Sequence, residues 1–239
     1  MKIHFIQNNH WVAPGAFLAW AGKHGCEVSL TKCWEHETVP EASDADLLVV
    51  LGGWQSPATT REECGYYDAE AEKRCIRRYV EAGKMVLGVC LGAQLVGEAM
   101  GAPYAHSPEP EIGVMQARLT EAGRQDPFLA DFPECFPAGE WHNDMPGLTE
   151  TSVVLAESDG CPRQIVRYGT YVYGFQTHME FTREILEKGL EKAGGTRPAG
   201  GRYIWTPEEI LAYDYTEVNR LLESFLDRLT EDYRKKAAV

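Results

Sequence analysis

The stretch Met85-Val86-Leu87-Gly88-Val89-Cys90-Leu91-Gly92-Ala93-Gln94 decides the fold. Its first five residues are a nearly unbroken apolar run, as expected of a strand covered on both faces. Residues 91–100 read as a helix. The junction, Gly-x-Cys-x-Gly, has the shape of a nucleophile elbow with Cys in place of Ser. A tight strand-to-helix turn forces its central residue into strained backbone, and the flanking glycines give it room. Cys90 would then stand at the C-terminal edge of a sheet, where open α/β folds place their ligands. It would also sit at a helix N-terminus, whose partial positive charge favours thiolate over thiol. The competing reading of Cys90 is a small apolar thiol packed inside the turn.

Working outward, residues 3–7, 26–32 and 46–51 read as strands. Residues 16–23 form a helix between the first two, closed by Gly25. Residues 60–82 carry helix formers, with Tyr67, Ala71, Cys75 and Tyr79 at steps of four and a stop at Gly83. Strands alternating with helices imply a parallel sheet with right-handed crossovers. From Tyr104 to Tyr173 the texture changes to short β-like pieces at 114–119, 153–156, 164–167 and 170–173, which extend the sheet or form a side sheet. Residues 194–201 are a Gly/Pro loop. Thr206-Pro207-Glu208-Glu209 then supplies an N-cap, a proline at the first helical position and a capping-box Glu. The helix that starts there is expected to break near Tyr215 and to dock through Val218, Leu221, Leu222, Phe225, Leu226 and Leu229. The expected organisation is an α/β domain over residues 1–192, with residues 193–239 as a loop and helical extension packed on it.

A cysteine nucleophile needs a base, and the base an orienting acceptor. Gly174-Phe175-Gln176-Thr177-His178-Met179-Glu180 supplies both. In extended backbone, residues two apart point the same way, so Glu180 can reach the ring nitrogen that His178 does not offer to Cys90. Leu51-Gly52-Gly53-Trp54 closes the third strand. Glycines there let backbone N–H groups approach a carbonyl, and one of them with that of Leu91 would make an oxyanion hole.

These pieces, in this order, resemble the class I glutamine amidotransferases with a Cys-His-Glu catalytic triad, in particular the glutaminase of GMP synthase. Trp141-His142-Asn143-Asp144 is similar to the family's W/S-H-G-D segment, and Glu111-Ile112-Gly113 to its E-I-G piece. The resemblance covers roughly the first 185 residues and implies a three-layer, flavodoxin-like α/β sandwich around a mostly parallel sheet. It also implies Cys90 as nucleophile, His178 as base, Glu180 as its orienter, and the N–H groups of Gly53 and Leu91 as the oxyanion hole. Gln94, Trp141, Asn143 and Asp144 would bind the glutamyl head. The implied reaction is hydrolysis of a side-chain amide through a γ-glutamyl thioester, releasing ammonia or an amine, with no cofactor and no metal. Two positions depart from the family: Met179 stands where Pro is usual, and Asn143 where Gly is usual. The first leaves the triad geometry available; the second would reshape the glutamyl pocket. A synthetase domain is not expected within these 239 residues. It is therefore expected to be a stand-alone member, a glutaminase working with a separate synthetase subunit, or a γ-glutamyl hydrolase or peptidase. A catalytically silent binding module of the same fold is the non-enzymatic alternative.

Composition narrows the partners. Lys plus Arg is 23 and Asp plus Glu is 36, a formal charge of −13, which repels phosphate backbones and anionic lipid. A small-molecule substrate, glutamine or a γ-glutamyl compound, fits better than nucleic acid or a membrane. No apolar run approaches the ~18 residues of a spanning helix, and the N-terminus turns polar too soon for a signal peptide. Seven scattered cysteines without a C-x-x-C pair suit a reducing cytoplasm. His24, Cys26, Cys33 and His36 lack the spacing of a structural zinc site. His142 is a rival base, read instead as a wall beside the substrate.

Overall fold

Period-two alternation along the strands sorts the core into two halves. Ile3 and Phe5 of β1 (Lys2–Gln7), Leu47 and Val49 of β3 (Leu47–Val50), and Met85, Leu87 and Val89 of β4 (Met85–Val89) pack on one face. Ile6, Leu48, Val50 and Val86 pack on the other. The computed structural model describes residues 1–41, 44–193 and 201–237. It adds β2 (Glu27–Lys32), β5 (Ala105–Leu119), β6 (Cys135–Met145), β7 (Val153–Glu157), β8 (Ile165–Gly169) and β9 (Val172–Phe175). All join one sheet in the order β2-β1-β3-β4-β9-β8-β7-β5-β6. The run from β2 to β9 is parallel, and the ladder from β9 to β6 is antiparallel. The β-like pieces of the middle region therefore extend the main sheet.

Helices cover both faces, which makes three layers. On the first face lie α1 (Ala16–Lys23) and α7 (Thr216–Ala237). Val218, Leu221, Leu222, Phe225, Leu226 and Leu229 of α7 are each at most 1% exposed, worth ~1.5–3 kcal/mol apiece in gross transfer free energy. On the second face lie α2 (Ala69–Glu81) and α3 (Leu91–Ala99). The capping box at Thr206 forms as expected and opens α6 (Pro207–Ala212). The break precedes α7 at Tyr215. Residues 194–200, most of the Gly/Pro loop, lie outside the described residues.

Five elements differ from expectation, in three ways. The helix expected over 60–82 begins only at Ala69, because the Asp68 carboxylate accepts from the Ala71 N–H (2.9 Å) and caps it there. Residues 60–67 are turns in which Tyr67 N–H donates to the Cys64 carbonyl. The second is β5, which starts nine residues earlier than the predicted piece at 114, with an irregularity between His106 and Glu111; Pro108 and Pro110 hide its alternation. The third group, unforeseen altogether, is β6 and the helices α4 (Glu121–Gln125) and α5 (Arg183–Ala193).

One buried acid on α2 carries a stability prediction. Glu72 is fully buried, with Asn8 Nδ2 donating to its Oε2 at 3.2 Å. Burial pushes its carboxyl up to about 8, so it keeps its proton at neutral pH. A raised acid stabilises fully below its unfolded value, about 4.5, and that contribution is gone above about 8. Glu72→Gln keeps the shape without the titration. Its melting temperature is expected to match or exceed that of the wild type at pH 8.5, with a flatter pH dependence between 5 and 8, measured by thermal melts.

Candidate active site

Cys90 caps the N-terminus of α3 with φ 53° and ψ −112°, a backbone that costs a non-glycine residue ~1–3 kcal/mol. The surroundings impose it. The Cys90 N–H donates to the Phe175 carbonyl of β9 (2.8 Å), while its own carbonyl accepts from Ala93 and Gln94 to begin the helix. Both flanking glycines are required by close approach. A Cβ on Gly92 would run into the Val50 carbonyl of β3, and one on Gly88 would sit 2.7 Å from the Ala93 nitrogen. Cys90 is 7% exposed, and its thiol lies 3.9 Å from the Trp141 carbonyl.

His178 and Glu180 follow β9 in a bent segment, not in a strand, yet their side chains meet. His178 Nδ1 donates to Glu180 Oε1 at 2.7 Å, both residues buried. Three elements fix this segment. The His178 N–H donates to the Gly139 carbonyl of β6 (2.7 Å), and the Ala16 N–H of α1 donates to the Glu180 carbonyl (3.1 Å). Asn219 Nδ2 of α7 donates to the carbonyls of Met179 (2.8 Å) and Phe181 (3.0 Å). Phe181 stacks on the His178 ring. Gly52 measures the approach of His178 to Cys90: a Cβ there would lie 3.3 Å from both Cys90 Cβ and His178 Cε1. Burial opposes charge on the ring, but Glu180 and then Cys90 outweigh it and hold His178 well above the usual histidine range. These neighbours favour the protonated ring beside Cys90.

Gly53 lies on the loop after β3, which is pinned by Asn9 Nδ2 donating to Gln55 Oε1 (3.0 Å) and by Tyr66 donating to Asn9 Oδ1 (3.0 Å). A Cβ on Gly53 would lie 3.1 Å from Leu91 Cδ2, so the two residues expected to offer N–H groups are neighbours. A cavity of about 430 Å³ takes in Cys90, His178, Gly53 and Trp141. Among the described residues that line it, Gln94, Asn143 and Asp144 are missing. Gln94 is buried with its amide donating to Gln176 Oε1 (3.1 Å). Asp144 accepts from His106 Nδ1 (2.6 Å), and Asn143 is exposed on β6.

His142 is not the substrate-side wall expected of it. Its side chain is 1% exposed, with Nε2 3.0 Å from Glu140 Oε2 and 3.3 Å from Glu111 Oε2. Trp141 takes the cavity face of β6, and the next residue points into the core. Glu111, directly across from it on β5, accepts from Ser158 (2.7 and 2.9 Å) and Gln164 (2.6 Å). Sequence reasoning missed this network. Its signal would have been a Glu opposite a His in two paired strands, visible only once β6 is recognised. Burial works against a charged His142, and Glu111 and Glu140 more than compensate, raising it to about 9. Burial pushes Glu140 up. Glu111, His142 and Cys161 bring ligand-type atoms within 4.8 Å of one another. Glu111 already accepts from Ser158 and Gln164, however, and burial raises the Cys161 thiol to about 12; the cluster is instead an ion pair of His142 with Glu111 and Glu140. Among the described residues, His24, Cys26, Cys33 and His36 form no such group.

A raised histidine stabilises fully below its unfolded value, 6.5, and that contribution is lost as pH rises through about 9. Wild-type unfolding free energy is therefore expected to drop by about 3 kcal/mol from this group between those limits. Glu111→Gln should cost ~3–5 kcal/mol near pH 6 and much less at pH 9.5. Urea unfolding of both proteins at the two pH values checks this, because contributions from other groups cancel in the difference.

Residues 18–192 match the family model described as glutamine amidotransferase class-I. A glutamine amidotransferase-like protein of Salmonella typhimurium strain LT2, YfeJ, is 48% identical over 240 residues, covering 99% of this chain and all of that protein. One of the subunits of the glutamine-hydrolyzing GMP synthase from Methanocaldococcus jannaschii is 28% identical over 134 residues, 53% of this chain and 70% of that protein. The solved structure of SMU.1228c superposes with a TM-score of 0.91 at 46% identity, over 96% of this chain and all of that one.

Proposed function

This chain belongs to the class I glutamine amidotransferase family, and on that footing we propose that it is a cysteine amidohydrolase acting on a γ-glutamyl amide. The Cys90 thiolate attacks the amide carbon, and the developing oxyanion is held by the N–H groups of Gly53 and Leu91. The C–N bond breaks as His178 gives its proton to the departing nitrogen, leaving a γ-glutamyl thioester on Cys90. His178 then takes a proton from water, which attacks the thioester; glutamate leaves and the thiolate returns. Glu180 holds the ring in the orientation and charge state that both half-reactions use. One observation carries this reading: the strained Cys90 backbone at a helix N-terminus, sharing a cavity with a His178 paired to a buried Glu180.

The test is steady-state glutamate release by the isolated protein from glutamine and other γ-glutamyl amides, together with labelling by a glutamine-like electrophile. Glutamate release and blocked turnover with the label on Cys90 are expected. Cys135, the exposed thiol, reacts with a generic alkylator such as iodoacetamide, so protection by substrate identifies the relevant site. Label on Cys135 alone with turnover intact would sink the proposal. The second reading is delivery of the ammonia to a separate synthetase partner, favoured by the likeness to one of the subunits of a GMP synthase. It requires release that stays at background until cell extract is added.

A further inference from the structure

The cavity in front of Cys90 is larger and more apolar than glutamine needs. At about 430 Å³ it falls within the ~300–1,000 Å³ of sites that enclose drug-sized ligands. Glutamine's leaving nitrogen carries only hydrogen and calls for no apolar wall.

His178 protonates the departing nitrogen, so whatever that nitrogen carries leaves along the His178 side of the cavity. That side is aromatic and aliphatic. Phe181 lies flat on the His178 ring, centroids 4.2 Å apart and planes 9° from parallel. Ile185 and Leu186, in the first turn of α5, extend the lining. Trp11 and Trp54 also contribute. Trp54 is 57% exposed, an indole left in water although it lines a cavity, and its N–H reaches the Tyr66 hydroxyl at 3.4 Å. Aromatic rings in such a position gain most when a flat apolar group covers them. Apart from His178, the charged side chain among the described lining residues is Lys192, with no carboxylate beside it in the lining.

We propose that this wall is a leaving-group subsite for an aromatic amino acid, so that the preferred substrate is a γ-glutamyl dipeptide whose second residue is aromatic, its carboxylate facing Lys192. The proposal rests on the amide-cleaving chemistry assigned to Cys90. The balance is that of the proposed reaction: the Cys90 Sγ–C bond forms, the C–N bond breaks, and the aromatic amino acid departs with the proton from His178. Water then cleaves the thioester to glutamate.

The experiment compares kcat/KM for glutamine, γ-glutamyl-phenethylamide, γ-glutamyl-alanine and γ-glutamyl-tryptophan on the whole protein, with Cys90→Ala as background. γ-Glutamyl-tryptophan is expected to exceed glutamine by about tenfold or more, with the phenethylamide, which lacks the carboxylate, in between. Trp54→Ala and Lys192→Gln change exposed side chains and leave the core intact. Trp54→Ala should shrink the advantage of both aromatic substrates. Lys192→Gln should shrink only the gap between γ-glutamyl-tryptophan and the phenethylamide. Glutamine turned over as well as or better than the aromatic compounds overturns the subsite and leaves amide cleavage standing. A preference unmoved by either variant overturns it too. No Cys90-dependent glutamate from any compound overturns the amide-cleaving reading, and the subsite with it.

Discussion

Cys90→Ala should fold like the wild type and release glutamate no faster than background, a loss of at least about 10⁴-fold in turnover. Folding is spared because the thiol's contact to the Trp141 carbonyl is long, 3.9 Å, and alanine tolerates φ 53° no worse than cysteine. The loss is complete because no other described cysteine shares the cavity with His178. Circular dichroism and a melting curve establish the fold, and coupled glutamate detection gives the rate. Undiminished turnover in a folded Cys90→Ala protein would remove the nucleophile from the proposed mechanism.

His178→Ala should lower turnover by roughly 10³–10⁴-fold, and adding Glu180→Gln to it should lower it little further, because the two act as one unit. Glu180→Gln alone should cost less than the histidine, since the amide can still orient the ring. It cannot support the imidazolium as a carboxylate does. Glu180 is the largest of the influences that raise His178, so its loss lets the ring give up its proton at lower pH. The alkaline limb of the pH–rate profile, where the acid that protonates the leaving nitrogen disappears, should move toward neutrality. A His142→Ala protein that loses all activity while His178→Ala keeps it would reverse the assignment of the base.

Most of the parallel half of the sheet was legible because β1, β3 and β4 are buried on both faces, the chain turns at glycine after Leu51, and the helices between them carry clear stops. The antiparallel half was harder. In β6, Pro137 and Gly139 interrupt the apolar pattern, and in β5 Pro108 and Pro110 do the same. Missing β6 had a direct cost at the candidate site. Register decides which face a residue takes, so Trp141 reaches the cavity while His142, one position on, goes into the core against Glu111 and Glu140. Cys90, His178 and Glu180 could be grouped from the chain because each follows a strand of the parallel half within a few residues. Gln94, Asn143 and Asp144 were grouped with them through a resemblance in short motifs. Their side chains turn instead to Gln176, to solvent and to His106.

The segment carrying His178 and Glu180 is held by the start of α1, by Gly139 of β6 and by Asn219 of α7 at once. Those attachments come from both ends of the chain and from the strand at one edge of the sheet. The reactive centre is thus among the slowest-breathing parts of the molecule. A fluctuation that freed His178 would first have to undock α7, whose apolar side chains are almost wholly covered, and so would cost nearly as much as melting the whole. Heat and denaturant should then silence the protein in the same transition that erases its helical signal, with no earlier dormant form along the way.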